Sequence, residues 1–126
     1  MAKASILIVD DEPIVREAIR DWLVDAGYDV TTVETGERAL EITAERDFGL
    51  IILDVRLPGK TGIRVLEEMK QAKPNVKAII ITAYASPQMR TEALELGALH
   101  YLSKPIAPNE LEKIVQEALA NEADTG

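Results

Sequence analysis

Apolar residues are distributed along this chain in two patterns that take turns, and together they predict ten elements. Short continuous apolar runs bounded by turn residues read as strands buried on both faces. Residues 5–9 (Ser-Ile-Leu-Ile-Val), 50–53 (Leu-Ile-Ile-Leu) and 76–82 (Val-Lys-Ala-Ile-Ile-Ile-Thr) are of this kind. Residues 28–33 alternate and carry the β-branched Val30, Thr31, Thr32 and Val33, while 98–102 form a short fifth strand. Between the strands, apolar positions recur at helical spacing. The first such stripe is Ile14/Val15, Ala18/Ile19, Trp22/Leu23 and Ala26, opened by Glu12-Pro13 and stopped by Gly27. Trp22 on that stripe reads as core packing. Thr35 caps a second helix that turns Ala39, Leu40 and Thr43 inward. Thr61 caps a third carrying Ile63, Leu66 and Met69, which Lys73-Pro74-Asn75 stop, and Ser86-Pro87 begin a fourth that ends at Gly97. Leu111, Ile114, Val115, Ala118 and Leu119 mark a fifth, with Ala107 and Asn109 both available as its cap.

Five strands alternating with five helices imply right-handed crossovers and a doubly wound α/β fold. At this length the expected five-stranded parallel sheet has the flavodoxin-like order 2-1-3-4-5, with helices on both faces. The domain is expected over 1–121, with the polar stretch 122–126 a disordered tail or the start of a linker.

Composition narrows the function classes. The 126 residues suffice for one core, 47% are apolar, 29% are charged, and the net charge is -8. An acidic surface is repelled by phosphate backbones, which argues against direct nucleic-acid binding. The absence of cysteine excludes disulfides, zinc-thiolate sites and thiol catalysis, and fits a reducing cytoplasm. No apolar run approaches the roughly 20 residues of a membrane span, and the start of the chain is expected to hold no signal peptide.

Candidate chemistry gathers at the strand ends. In the expected topology the strands deliver Asp10/Asp11, Asp54, Thr82 and Lys104 to one carboxyl edge, where open α/β sheets bind ligands. Three crowded carboxylates repel one another unless a cation sits among them, and a hard oxygen-ligated ion such as Mg²⁺ suits them. Asp54, at the exit of a buried run and before the Leu57-Pro58-Gly59 turn, is placed to ligate a metal or attack an electrophile such as a phosphoryl group. Taken singly, each residue has an ordinary alternative: Asp10 or Asp11 as a helix cap, Thr82 as a strand end, Lys104 as a surface lysine. Taken jointly, they suit the handling of one phosphoryl group on Asp54 by positioning and charge neutralisation.

Four segments resemble the receiver domain of two-component response regulators: Ile-Leu-Ile-Val-Asp10-Asp11-Glu12-Pro13, Asp54-Val-Arg-Leu-Pro58-Gly-Lys-Thr-Gly62, Ile-Thr82-Ala83-Tyr84 and Tyr101-Leu-Ser-Lys104-Pro105. They stand in the right order and at the right spacing, and the resemblance covers essentially the whole chain. It implies that Asp54 is phosphorylated by a sensor histidine kinase, a phosphotransfer protein or a small phosphodonor. It implies a Mg²⁺ cofactor, with Mn²⁺ as substitute, ligated directly by Asp11 and Asp54, by Asp10 largely through water, and by the main-chain carbonyl of Arg56. By the same resemblance Lys104 pairs with the phosphoryl oxygens, Thr82 swings to hydrogen-bond them, Ala83 leaves room, and Tyr101 is the switch aromatic. Lys104-Pro105 resembles the family's cis peptide. Output is expected through the face of the fourth helix, fifth strand and fifth helix, toward an effector domain, a downstream protein or a phosphorylation-dependent homodimer. The implied domain is cytoplasmic, does not touch membranes, and is no enzyme beyond its own phosphoryl transfer and slow autodephosphorylation.

Departures from the family pattern carry information. Arg56 and Tyr84, at the variable positions facing the phosphoryl group, are both large and are expected to screen it from in-line water. Leu99-His100 replaces an acidic pair that often precedes the switch aromatic, which puts a charge-matched dimer in doubt. Ile106 stands where phenylalanine is commoner, with no expected consequence. His100, the only histidine, falls on a predicted strand and reads as a tolerated edge residue. Three competing readings remain: a phosphatase of the haloacid dehalogenase type, a flavin carrier and a receiver used without phosphorylation. The first lacks its second Asp, since Arg56 stands there; the second would meet Asp10-Asp11-Glu12 where it needs a phosphate loop. Intact Asp, Thr and Lys positions argue against the third.

Overall fold

The apolar runs form strands β1 (Ser5–Val9), β2 (Asp29–Val33), β3 (Leu50–Asp54), β4 (Ala78–Thr82) and β5 (His100–Ser103). Between and after them lie helices α1 (Pro13–Asp25), α2 (Gly36–Glu45), α3 (Gly62–Ala72), α4 (Pro87–Glu95) and α5 (Pro108–Asp124). The structure, a computed structural model, describes residues 4–124, with side chains described through residue 120. The tail expected over 122–126 therefore falls on side chains, and at 125–126 on whole residues, outside those described. All strand pairs are parallel and the order is β2-β1-β3-β4-β5, as the alternation of elements predicts.

The strand period of two splits the core between the faces. Leu7, Val9, Ile51, Leu53 and Ile80 pack under α2, α3 and α4 with Ala39, Leu66, Met69 and Ala93. Ile6, Ile8, Leu50, Ile52, Ile79 and Ile81 face α1 and α5 with Ile19, Leu23, Leu111 and Val115. Burying each such side chain contributes about 1.5–3 kcal/mol before conformational entropy is counted. The central strands β3 and β4 are buried at every position, which is why they read as unbroken apolar runs. The edge strands β2 and β5 are only half buried and read more weakly.

Two strand starts fall later than the pattern predicts, for one reason. Gly27 and Gly97 close their helices at positive φ (99° and 100°), and the next residue still belongs to the helix end. Tyr28 N–H donates to Leu23 O and Ala98 N–H to Ala93 O, each at 3.0 Å, so neither opens a strand. Strand β4 starts at Ala78 because Val76 N–H turns back to Lys73 O. The open choice of cap for α5 resolves to Ala107, whose carbonyl accepts Leu111 N–H at 3.0 Å.

Topology creates the crevice. The chain leaves β1 outward to β2 and returns to the opposite side of β1 as β3, so the loops after β1 and β3 diverge. Thr61 caps α3 by accepting Arg64 N–H, and Gly62 N–H donates to Val55 O at 2.7 Å. A Cβ on Gly62 would collide with the main-chain carbonyl of Asp54, so only glycine lets α3 come this close to the strand end. No described helix is long and apolar enough to cross a membrane.

Candidate functional site

Three strand ends share one local device. Asp10 Oδ1 accepts Glu12 N–H at 2.9 Å, Asp54 Oδ1 accepts Arg56 N–H at 3.1 Å, and Thr82 Oγ1 accepts Tyr84 N–H at 3.1 Å. These side-chain turns are what Asp and Thr form at the end of a strand. Each aspartate spends one oxygen on its turn and keeps the other for the crevice. Asp10 and Thr82 are fully buried and Asp54 is nearly so, at 3% exposure.

Lys104 holds the centre. Its Nζ donates to Asp54 Oδ2 and to Glu12 Oε1, both at 2.8 Å, and lies 2.9 Å from Asp10 Oδ2. The lysine arrives there because β5 lies beside β4, with Lys104 N–H bonded to Thr82 O at 2.8 Å and a cis bond joining it to Pro105. Burial alone would lower its pKa, but the hydrogen bonds to Asp54 and Glu12 and the negative charge of Asp10 override that and hold it above the ordinary lysine value. That pairing stabilises the fold across the neutral range. On the lysine side it is lost in alkali, as pH rises past lysine's usual value of about 10.4 toward the raised one. Asp10 is shifted up, chiefly by burial, with the charge of Asp54 adding to it and the Glu12 amide and Lys104 opposing it.

Three carboxylates against one ammonium leave negative charge in excess. The oxygens of Asp10, Glu12 and Asp54 lie within 4.8 Å of one another. Asp10 Oδ2, despite its close ionic contact with Lys104, is buried without a hydrogen bond of acceptable geometry. An orphaned buried oxygen in an oxygen-only, anionic cluster fits a hard divalent cation. Glu12 is the member that sequence reasoning missed: it reads as an acid favouring a helix start, and only the turn at Asp10 folds it back to Lys104. Asp11, expected as a direct ligand, is exposed and lines the cleft with Asp54 and Arg56, but its carboxylate stands outside the converging three.

The remaining expected residues surround a cleft of about 580 Å³ lined by Asp11, Asp54, Arg56, Ala83, Tyr84 and Met89, among others. The guanidinium of Arg56 stacks over the exposed Tyr84 ring, 4.2 Å from its centroid, and both residues line the cleft. Tyr101, half-buried on β5, accepts Ser86 N–H with its hydroxyl at 3.4 Å. Ser86 in turn caps α4 through Met89 N–H, so the aromatic is tied to that helix's first turn. His100 stands on β5 opposite Ile79.

Known proteins share this arrangement of elements. The family model of the response regulator receiver domain matches residues 6–116. Over 120 residues the chain is 39% identical to transcriptional regulatory protein ZraR of Escherichia coli O157:H7, a match covering 92% of this chain and 26% of that protein. It is 35% identical over 119 residues to sporulation initiation phosphotransferase F of Bacillus subtilis, covering 94% and 96% respectively. The chain thus spans about a quarter of the ZraR regulators and nearly all of the phosphotransferase. A crystal structure of a CheY-like response regulator receiver domain protein from Methanospirillum hungatei JF-1 superposes with a TM-score of 0.95 at 31% identity over 100% of both chains. The chain belongs to the response regulator receiver domain family.

Proposed function

We propose that this receiver domain carries its signal as a phosphoryl group on Asp54, taken from a sensor histidine kinase, a phosphotransfer protein or a small phosphodonor in a Mg²⁺-dependent reaction. The observation that carries this reading is the Lys104 ammonium 2.8 Å from Asp54 Oδ2, inside a cluster with more carboxylate than cation. A carboxylate oxygen of Asp54 attacks phosphorus, the bond to the donor's leaving atom breaks, and an aspartyl phosphate forms. Lys104 shifts from the carboxylate to the incoming phosphoryl oxygens, where its fixed charge opposes the one that develops. Asp10, Asp11, Asp54 and the Arg56 carbonyl would hold Mg²⁺, with Glu12 beside them, and the bound ion supplies neutralisation of the phosphoryl charge. The domain catalyses nothing beyond its own phosphorylation and slow hydrolysis.

The output follows from tied groups. A phosphoryl group adds a charge near -2 and three acceptor oxygens. Thr82, whose hydroxyl accepts the Tyr84 amide, retains an O–H to donate, and its movement opens space beneath Tyr101. Tyr101 turning inward gives up Ser86 N–H and loosens the start of α4, altering the α4-β5-α5 face that meets an effector domain, a downstream protein or a second copy. The expected setting is the cytoplasm. Intact mass after acetyl phosphate, with Mg²⁺ and with chelator, run alongside sizing, tests the reading. One added phosphoryl group only when Mg²⁺ is present supports it; no gain under either condition rejects it in favour of a binding module.

A further inference from the structure

We infer that Arg16 is a positioning residue for the cation site, acting through the main chain of Asp10. This rests on the Mg²⁺ reading above and adds to it a residue that touches neither the ion nor the phosphoryl group. Arg16 stands on α1 with its side chain only 12% exposed. Its Nη1 donates to the carbonyl of Asp10 at 2.9 Å, and its Nη2 to Glu34 Oε1 at 3.3 Å, just past β2.

Asp10 itself lies one residue beyond the paired part of β1. Its N–H donates to Val33 O at 3.2 Å and its Oδ1 accepts Glu12 N–H. The carbonyl is therefore the third point that fixes the peptide from which the Asp10 and Glu12 carboxylates project. A planar guanidinium suits this post because its fork reaches two acceptors in different directions, whereas an ammonium on a flexible stem does not fix them together. Glu34 is 71% exposed, so its ion pair with Arg16 contributes little. The part-buried arm on Asp10 is the one that matters, because its loss takes the guanidinium donor from a main-chain carbonyl and frees the loop 10–12 to turn. Binding a cation would then require ordering that loop, which lowers affinity and leaves chemistry in the loaded state alone.

The test is a Mg²⁺ titration followed by the fluorescence of Trp22, the only tryptophan, which lines an apolar recess with Lys104, Pro105 and Ile106. Arg16→Ala is expected to raise the Mg²⁺ dissociation constant about tenfold, as loss of a group supporting metal ligands does. The phosphorylation rate at saturating Mg²⁺ should stay within about twofold, and Arg16→Lys should recover part of the affinity. Glu34→Gln should bind Mg²⁺ as the unaltered protein does. If Arg16→Ala does not fold, Arg16→Gln takes its place under the same criterion. A Mg²⁺ affinity unchanged within about twofold in the alanine or glutamine variant, with only the melting temperature lowered, would overturn the inference and leave the Mg²⁺ reading standing. No Mg²⁺ response in the unaltered protein would overturn both.

Discussion

At the scale of single residues, the site sets three carboxylates against one ammonium. Asp10 makes the point. Burial raises its pKa, so the folded chain binds this proton more readily than the unfolded one, and ionisation costs stability as pH climbs from about 4 through the raised value. In metal-free protein at pH 7, Asp10→Asn should therefore stabilise the fold, with the gain fading below about pH 4. Urea denaturation at the two pH values measures this; a loss of stability at pH 7 would contradict it. Arg56 and Tyr84 supply a second case. We propose that their stack beside the cleft screens an aspartyl phosphate from in-line water, which predicts that the radiolabelled phosphoprotein decays slowly and the Arg56→Asn/Tyr84→Glu protein several-fold faster. Equal decay in both would remove the screen from the account. Asp54, Thr82 and Lys104 were legible in the sequence because the first two end strands and the third follows one directly. Glu12 was not, because a helix-opening acid and a site acid look alike until the Asp10 turn is known.

At the scale of elements, strand ends and helix starts are coupled by very close packing. Gly62 opens α3 against the carbonyl of Asp54, and a methyl group there has nowhere to go, since the obstacle is main chain. Gly62→Ala should cost about 2 kcal/mol or more in urea denaturation and should also slow acetyl phosphate labelling, because the strand end must shift. A variant as stable and as fast as the unaltered chain would show that α3 yields freely. The elements themselves were readable from apolar runs and helical stripes. What hydropathy does not carry is the tertiary hydrogen bond: Tyr28 and Ala98 look like strand residues and close helices instead. Likewise the Tyr101–Ser86 contact, which ties β5 to α4, has no trace in either segment alone.

At the scale of the whole molecule, strand order does most of the organising. Placing β1 between β2 and β3 opens the crevice, and placing β5 beside β4 carries Lys104 over fifty residues of chain to meet Asp54. The order was legible because alternating elements and handed crossovers leave few alternatives. The net charge is -8, and one edge gathers the carboxylates of Asp10, Glu12 and Asp54, which could hold a metal ion. In the ZraR regulators the matching segment is about a quarter of the chain, so the same edge can serve as one module of a larger protein. The central claim is that Asp54 is the acceptor. Peptide mass mapping after acetyl phosphate and Mg²⁺, on the unaltered protein and on Asp54→Asn, tests it most directly. The account predicts one label, on Asp54, and none in the variant; a label elsewhere, or full-rate labelling of Asp54→Asn, would contradict it.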